Sequence, residues 1–482
     1  MEAATTMVSV LDVIELFMIA TVVAVFIKFV IKIQYMAALV IAGVLVGLTH
    51  LVDITVSADI IYYIFLPIIL FEGGLAMHVG HLRDTKVVVT LLAFPGLILA
   101  MILVGYGVHV FLGIPLLIAL LFGAIIMPTD PVSVLATFKR LGAPPRLTTI
   151  IEAESVLNDG AGIVAFGVVM AMIHSGVVSI PHAAIDFVTV VVGGIVVGVS
   201  IGYLAYRLLA YIDDHLVEIT VTILVAFSSF LIAEHFEFSG IIAVVFAGLI
   251  VGNYAEVYSM SPSTRFAAVS FWEVAVFLVN SLIFLMIGIE LTVGDFVGVG
   301  IGPIVFVIVL ALVARALVVY GTGFMYWIFR HPIPLSWQHV LVWGGLHATV
   351  PLALALSISP DMPERNLLLT LTLGVVFFSL IVQGMSMDWV SAKLGLIGAS
   401  EKKKEYEYCF GMAFALRAGA EEIKKLLARG EIRESIAKEI LEDIKRDEAK
   451  AHKGIESVLS KDSTLEKEAK TIAMRKALLA ER

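Results

Sequence analysis

The apolar positions of this chain fall in long, nearly continuous runs separated by short polar links. A bilayer core of about 30 Å takes roughly 20 apolar residues as helix. Thirteen runs approach that length, near residues 9–29, 33–50, 58–77, 87–112, 114–137, 148–174, 184–211, 216–235, 239–254, 268–289, 300–328, 336–358 and 366–390. They predict an all-α polytopic membrane protein with about 13 transmembrane helices. The ninth run is short, and only Glu234-His235-Phe236-Glu237 divides it from the eighth.

The polar links orient the runs, because cytoplasmic loops collect Lys and Arg. Alternate links carry Lys28 and Lys32, Arg83 and Lys86, Lys139, Arg140 and Arg146, then Arg207, Arg265 and Arg330, and Lys393 follows the last run. The links between these carry Asp53, Asp59, Glu234, Glu237, Glu290, Asp295, Asp361 and Glu364, with Arg365 their one base. This alternation predicts an amino terminus outside and a carboxy terminus in the cytoplasm.

Composition sharpens the division of the chain. It is 60% hydrophobic and 15% charged, outside the usual balance of soluble domains. Residues 401–482 hold 19 Lys/Arg and 17 Asp/Glu, against 13 and 24 in the longer stretch 1–400. The expectation is a transmembrane domain over 1–400 and a charged, helical cytoplasmic tail over 401–482. Segments 418–428 and 434–447 of that tail place Ile, Leu and Ala at helical spacing, with a break at Gly430. The net charge of −9 offers no basic patch to neutralise phosphates, which argues against a nucleic-acid partner. Cys409 is the single cysteine, so no intrachain disulfide is expected, and the first fifteen residues lack the basic start of a signal peptide.

The chemistry lies in polar residues inside the runs, where an ionisable group costs roughly 2.5–3.5 kcal/mol on insertion scales and is functional by default. The fifth run contains Met127-Pro128-Thr129-Asp130-Pro131. Pro128 and Pro131 forbid regular helix around Asp130, and unwound backbone at that depth persists only where protein or a polar cavity satisfies it. Thr129, Asp130 and the freed carbonyls are oxygen donors suited to a small hard cation. The sixth run carries Glu154, Ser155, Asn158 and Asp159 on two adjacent helical rows, followed by Gly160 and Gly162 for close helix approach. Arg315, inside the eleventh run, requires a buried carboxylate; Glu154 is the preferred partner and Asp159 the competing one. The twelfth run repeats the interruption of the fifth through Gly344, Gly345, His347 and Pro351. Paired broken helices, here 5 and 12, are the sequence mark of an inverted-repeat transporter. His347 is either a titrating group or a hydrogen-bonded structural one, and Glu72 either lines an access funnel or sits at the interface.

Pro128-Thr-Asp130-Pro131, then Glu154-Ser155 with Asn158-Asp159-Gly160, resembles the NhaP-type branch of the cation–proton antiporters, which includes the animal sodium–proton exchangers. Phe71-Glu72-Gly73, Phe284-Leu-Met-Ile-Gly288, Ala314-Arg315 and Trp343-Gly-Gly345 follow in the same order, so the resemblance spans roughly residues 10–390. It implies a homodimeric antiporter of the cell membrane, with a role in pH homeostasis and no enzymatic activity or cofactor. It implies Na⁺ held by Asp159, Asp130, Ser155 and Thr129, with Asn158 beside them and a Glu154–Arg315 ion pair. Asn158, in place of a second aspartate, matches the branch that exchanges one proton for one sodium. His347 stands where the family usually has arginine, a difference that bears on pH dependence and ion choice.

Exchange needs one competition only: an ionised carboxylate holds Na⁺, and protonation releases it. Li⁺ is a second candidate ion. The alternatives are a K⁺/H⁺ or electrogenic cation/proton antiporter and, in other classes, a cation channel or a non-transporting membrane sensor.

Overall fold

In hydrocarbon no water satisfies backbone polar groups, so an apolar chain must close its hydrogen bonds within each segment, as helix. The structure, a computed structural model, describes residues 10–29, 35–49, 58–77, 79–130, 134–135, 137–138, 143–176, 179–212, 214–255, 262–290, 298–328, 333–359, 361–396, 399–429 and 432–460. Among these, every regular element is helical. The helices are α1 (Val10–Phe29), α2 (Tyr35–Thr49), α3 (58–76), α4 (79–112), α5 (Leu116–Ile126), α6 (Pro145–Ser175), α7 (Ile180–Leu209) and α8 (His215–His235). They continue as α9 (240–255), α10 (Pro262–Glu290), α11 (Ile301–Ile328), α12 (Leu335–Trp343), α13 (Thr349–Leu356), α14 (365–393), α15 (Ala399–Ala428) and α16 (Glu434–Leu459).

Seven helices among the described residues are long and apolar enough to cross a membrane, and shorter apolar helices such as Leu116–Ile126 and Gly240–Tyr254 accompany them. They differ in where they lie. The apolar window of α6 is 61% buried and that of α14 67%, whereas α7 buries 17% and α11 28%. The first pair is interior; the second turns its apolar side chains, among them Val188, Val196, Leu204, Val309 and Leu317, outward, as a surface facing lipid requires.

Helices meet closely where side chains are absent. Gly43 of α2 and Gly288 of α10 face one another so that a Cβ on either would overlap the other's backbone. Among the described residues, four helices contain a π-helical turn: Ile61–Phe65 in α3, Leu92–Gly96 in α4, Val251–Ala255 in α9 and Ser379–Gly384 in α14. The turn in α4 contains Pro95, which has no N–H to give.

The described residues up to Thr137, together with Pro145–Val390, form one compact unit, and Phe138–Pro144 with the described residues from Ser391 form another. In the second, α15 and α16 pair with Ala437, Ala451 and Val458 buried, and Cys409 packs against Gly454.

Candidate functional site

Two helices stop inside the first unit, and their loose ends meet. α5 ends at Ile126, and residues 127–130 continue without helix. α12 ends at Trp343, residues 344–348 are unwound, and α13 begins at Thr349. The Asp130 N–H donates to the Leu346 carbonyl at 2.7 Å, so each break satisfies part of the other. Pro351 lies in the first turn of α13, where a helix has no partner for an N–H anyway. Pro131 lies outside the described residues.

α6 passes beside the α5 break and occupies its freed carbonyls. Ser155 Oγ donates to the Thr129 carbonyl. Asn158 Nδ2 donates to the Met127 carbonyl at 3.2 Å and faces Thr129 Oγ1 and Glu154 Oε1 at 3.3 Å each. Gly162 leaves room for the Pro128 ring, which a Cβ there would strike. Thr129, Ser155, Asn158 and Asp159 are all buried, and Asp130 is partly so. Among the described residues, Asp159 Oδ1 and Asn158 Oδ1 have no hydrogen-bond partner. Those two oxygens are acceptors with nothing to accept from, in a place where an unsatisfied polar atom costs about 1–3 kcal/mol. A cation is the natural complement. Asp130 and Glu154 are the carboxylates that act electrostatically on Asp159, so three acids share this region with one strong base among the described residues.

That base is Arg315 of α11. Its Nη1 donates to Glu154 Oε1 at 2.7 Å and its Nη2 to Oε2 at 2.9 Å, a two-point pairing. Its Nε donates to the Leu341 carbonyl at 3.2 Å near the end of α12. Gly345 permits this passage, because a Cβ there would stand 2.8 Å from Arg315 Nε. The charge of Glu154 is thereby compensated within the pair. His347, in the unwound stretch, faces the Pro128 carbonyl with Nδ1 at 3.2 Å; a carbonyl only accepts, so Nδ1 carries the proton in that bond.

Glu72 belongs to a different group. It lies on α3 and shares its electrostatic surroundings with Glu152 of α6 and Glu273 of α10, while its neighbour Gly73 packs on Val156 of α6.

Three buried residues not singled out from the sequence also reach this region. Thr349 Oγ1 stands 3.3 Å from Asp130 Oδ2 and 3.4 Å from Oδ1 of Asn280 on α10. Gln383, in the π turn of α14, donates to the Trp343 carbonyl at 2.9 Å and accepts from Ser379 at 2.8 Å. Thr349 is the first residue after a break and Asn280 an amide inside an apolar run, which are faint signals; Gln383 gives no more than that.

Residues 17–393 match the family model described as sodium/hydrogen exchanger, transmembrane. The Na⁺/H⁺ antiporter NhaG of Bacillus atrophaeus is 33% identical over 461 residues, covering 93% of this chain and 87% of the relative. The Na⁺/H⁺ antiporter ApNhaP of Aphanothece halophytica is 37% identical, covering 80% and 74%. The Na⁺/H⁺ antiporter NhaP of Pseudomonas aeruginosa is 36% identical, covering 67% and 78%. Among solved structures, the sodium proton antiporter MjNhaP1 of Methanocaldococcus jannaschii at pH 8 superposes with a TM-score of 0.68 over 80% of this chain and 98% of its own, at 22% identity, which establishes a shared fold.

Proposed function

The chain belongs to the family of transmembrane sodium/hydrogen exchangers, and from that premise we propose that it exchanges Na⁺ for H⁺ across the membrane, one for one, through the carboxylate of Asp159. The observation that carries the reading is the buried Oδ1 of Asp159, without a hydrogen-bond partner among the described residues, beside two interrupted helices. Li⁺ is small and hard enough for the same oxygens. The protein would act as a homodimer of the cell membrane, serving pH homeostasis, with its amino terminus outside and the tail 401–482 in the cytoplasm.

The mechanism follows from what one buried carboxylate can hold. A proton removes the charge that would hold a cation, so the group carries a proton or Na⁺ but not both. Thr129, Ser155 and Asp130 supply the remaining oxygens. Asn158 holds the freed Met127 carbonyl in place and lends Oδ1. Arg315 compensates the charge of Glu154, which leaves the competition between proton and cation to Asp159 with Asp130 beside it. Movement of the empty, ionised site is disfavoured because it would carry an uncompensated charge through low dielectric. Each proton is exchanged for one Na⁺, so a full cycle moves no net charge.

Proteoliposomes with an imposed pH gradient test this. Adding Na⁺ is expected to drive proton flux that is insensitive to a clamped voltage and absent in Asp159→Asn. Flux that persists in Asp159→Asn, or that follows the voltage, would overturn the one-for-one mechanism at this residue. Flux with K⁺ alone would reassign the ion.

A further inference from the structure

Thr349 has one hydroxyl proton and two oxygens facing it, Asp130 Oδ2 at 3.3 Å and Asn280 Oδ1 at 3.4 Å. It can donate to one of them; the other pair is then lone pair against lone pair. Both separations exceed the about 2.7–2.8 Å of an ordinary O–H···O bond, and still more the about 2.5–2.7 Å expected to an ionised carboxylate. Oxygens bound to a hard cation at about 2.4 Å, and at right angles, stand about 3.4 Å apart. The spacing is that of a coordination shell. The donor set, one carboxylate, one hydroxyl and one amide oxygen, is the set such ions take, and Asn280 and Thr349 are each 2% exposed.

We infer that Thr349 Oγ1 and Asn280 Oδ1 are direct ligands of the transported monovalent cation, joined to the Asp159 site through Asp130. This rests on the exchange reading above and extends it to a fourth helix. Asn280 belongs to α10, whose next residue, Ser281, bonds Tyr35 of α2 at 2.9 Å, with the Tyr35 ring stacked on Phe277. A cation between Asp130 and Asn280 therefore ties the broken helices to the α2–α10 pair, and its departure frees them. The rival arrangement turns the Asn280 amide over, so that Nδ2 donates to Thr349 and Thr349 to Asp130, a seam with no ion.

Two pairs of variants separate these. Half-saturating Na⁺ is measured by exchange in proteoliposomes, and the Na⁺-dependent rise in melting temperature is measured on the same purified proteins. Thr349→Val and Asn280→Leu, which remove one ligand each, are expected to raise half-saturating Na⁺ about tenfold and to blunt the thermal rise. Thr349→Ser and Asn280→Asp keep an oxygen in place and are expected to stay within about twofold of wild type or below it. Unchanged half-saturation in Thr349→Val overturns the inference. So does Asn280→Asp behaving as badly as Asn280→Leu, because a carboxylate can serve as a ligand but cannot donate in a seam. If Val and Leu prevent folding, Asn280→Asp decides alone: half-saturation at or below wild type supports the ligand role and a clear rise overturns it. A wild-type protein that shows no Na⁺-driven flux would overturn the exchange reading itself, a separate result.

Discussion

Two ion pairs of the same chemistry occupy opposite environments in this chain. Arg315 and Glu154 meet at two points, with side chains 10% and 2% exposed. Arg417 and Glu448 join α15 to α16 at 3.2 Å, with side chains 68% and 25% exposed. The first pair formed only by stripping water from both charges, a loss that each partner restores to the other. The second gave up little water and gains little. A charge in the membrane-embedded unit is therefore a commitment of the fold, whereas one in the tail is close to interchangeable.

The largest test of that contrast is Arg315→Ala. It strands Glu154 in the interior, where breaking a buried pair costs about 3–5 kcal/mol, and it removes the donor to the Leu341 carbonyl. A marked fall in the melting temperature of the purified protein is expected. Arg315→Leu combined with Glu154→Leu should recover much of it, because no unpaired charge then remains. A double variant no more stable than Arg315→Ala would show that the pair is held by something other than mutual neutralisation.

A smaller effect is expected from a neutral, part-buried bond. Gln383→Leu keeps a comparable apolar bulk but leaves the Trp343 carbonyl, at the end of α12, without its donor. An unsatisfied buried acceptor costs about 1–3 kcal/mol. The melting temperature should fall by less than in Arg315→Ala, and Ser386→Ala, which removes the partner of Trp343 Nε1, by less again. Gln383→Leu as damaging as Arg315→Ala would mean that the α12 terminus, not the ion pair, limits stability.

The same contrast explains what could be read in the sequence. Apolar runs were legible because hydrocarbon leaves helix as the open solution, and the helices fall where the runs do. The α5 interruption was legible because Pro128 removes an N–H locally, and the α12 interruption because Gly344-Gly345 concentrates two weak helix formers. The π turns and the contacts of Thr349, Asn280 and Gln383 were not. Asn280 lies 69 residues from Thr349, and Gln383 40 from Trp343, so no spacing along one helix announces either meeting. A lone amide in an apolar run reveals that it has a partner without revealing which.

The smallest expected effect belongs to the tail. In Arg417→Ala, Glu448 is left without that guanidinium, but it retains water, and exposed pairs contribute about 0–1 kcal/mol. The pairing of α15 with α16 rests instead on buried apolar contacts such as Ala437, Ala451 and Val458. Hydrogen exchange across 399–429 and 432–460 in the full chain should therefore match wild type, and Ala451→Asp, which forces a charge between the helices, should speed it throughout both. If Arg417→Ala alone loosened the hairpin, its charges would be acting as those of Glu154 and Arg315 do, and the contrast between the two regions would fail.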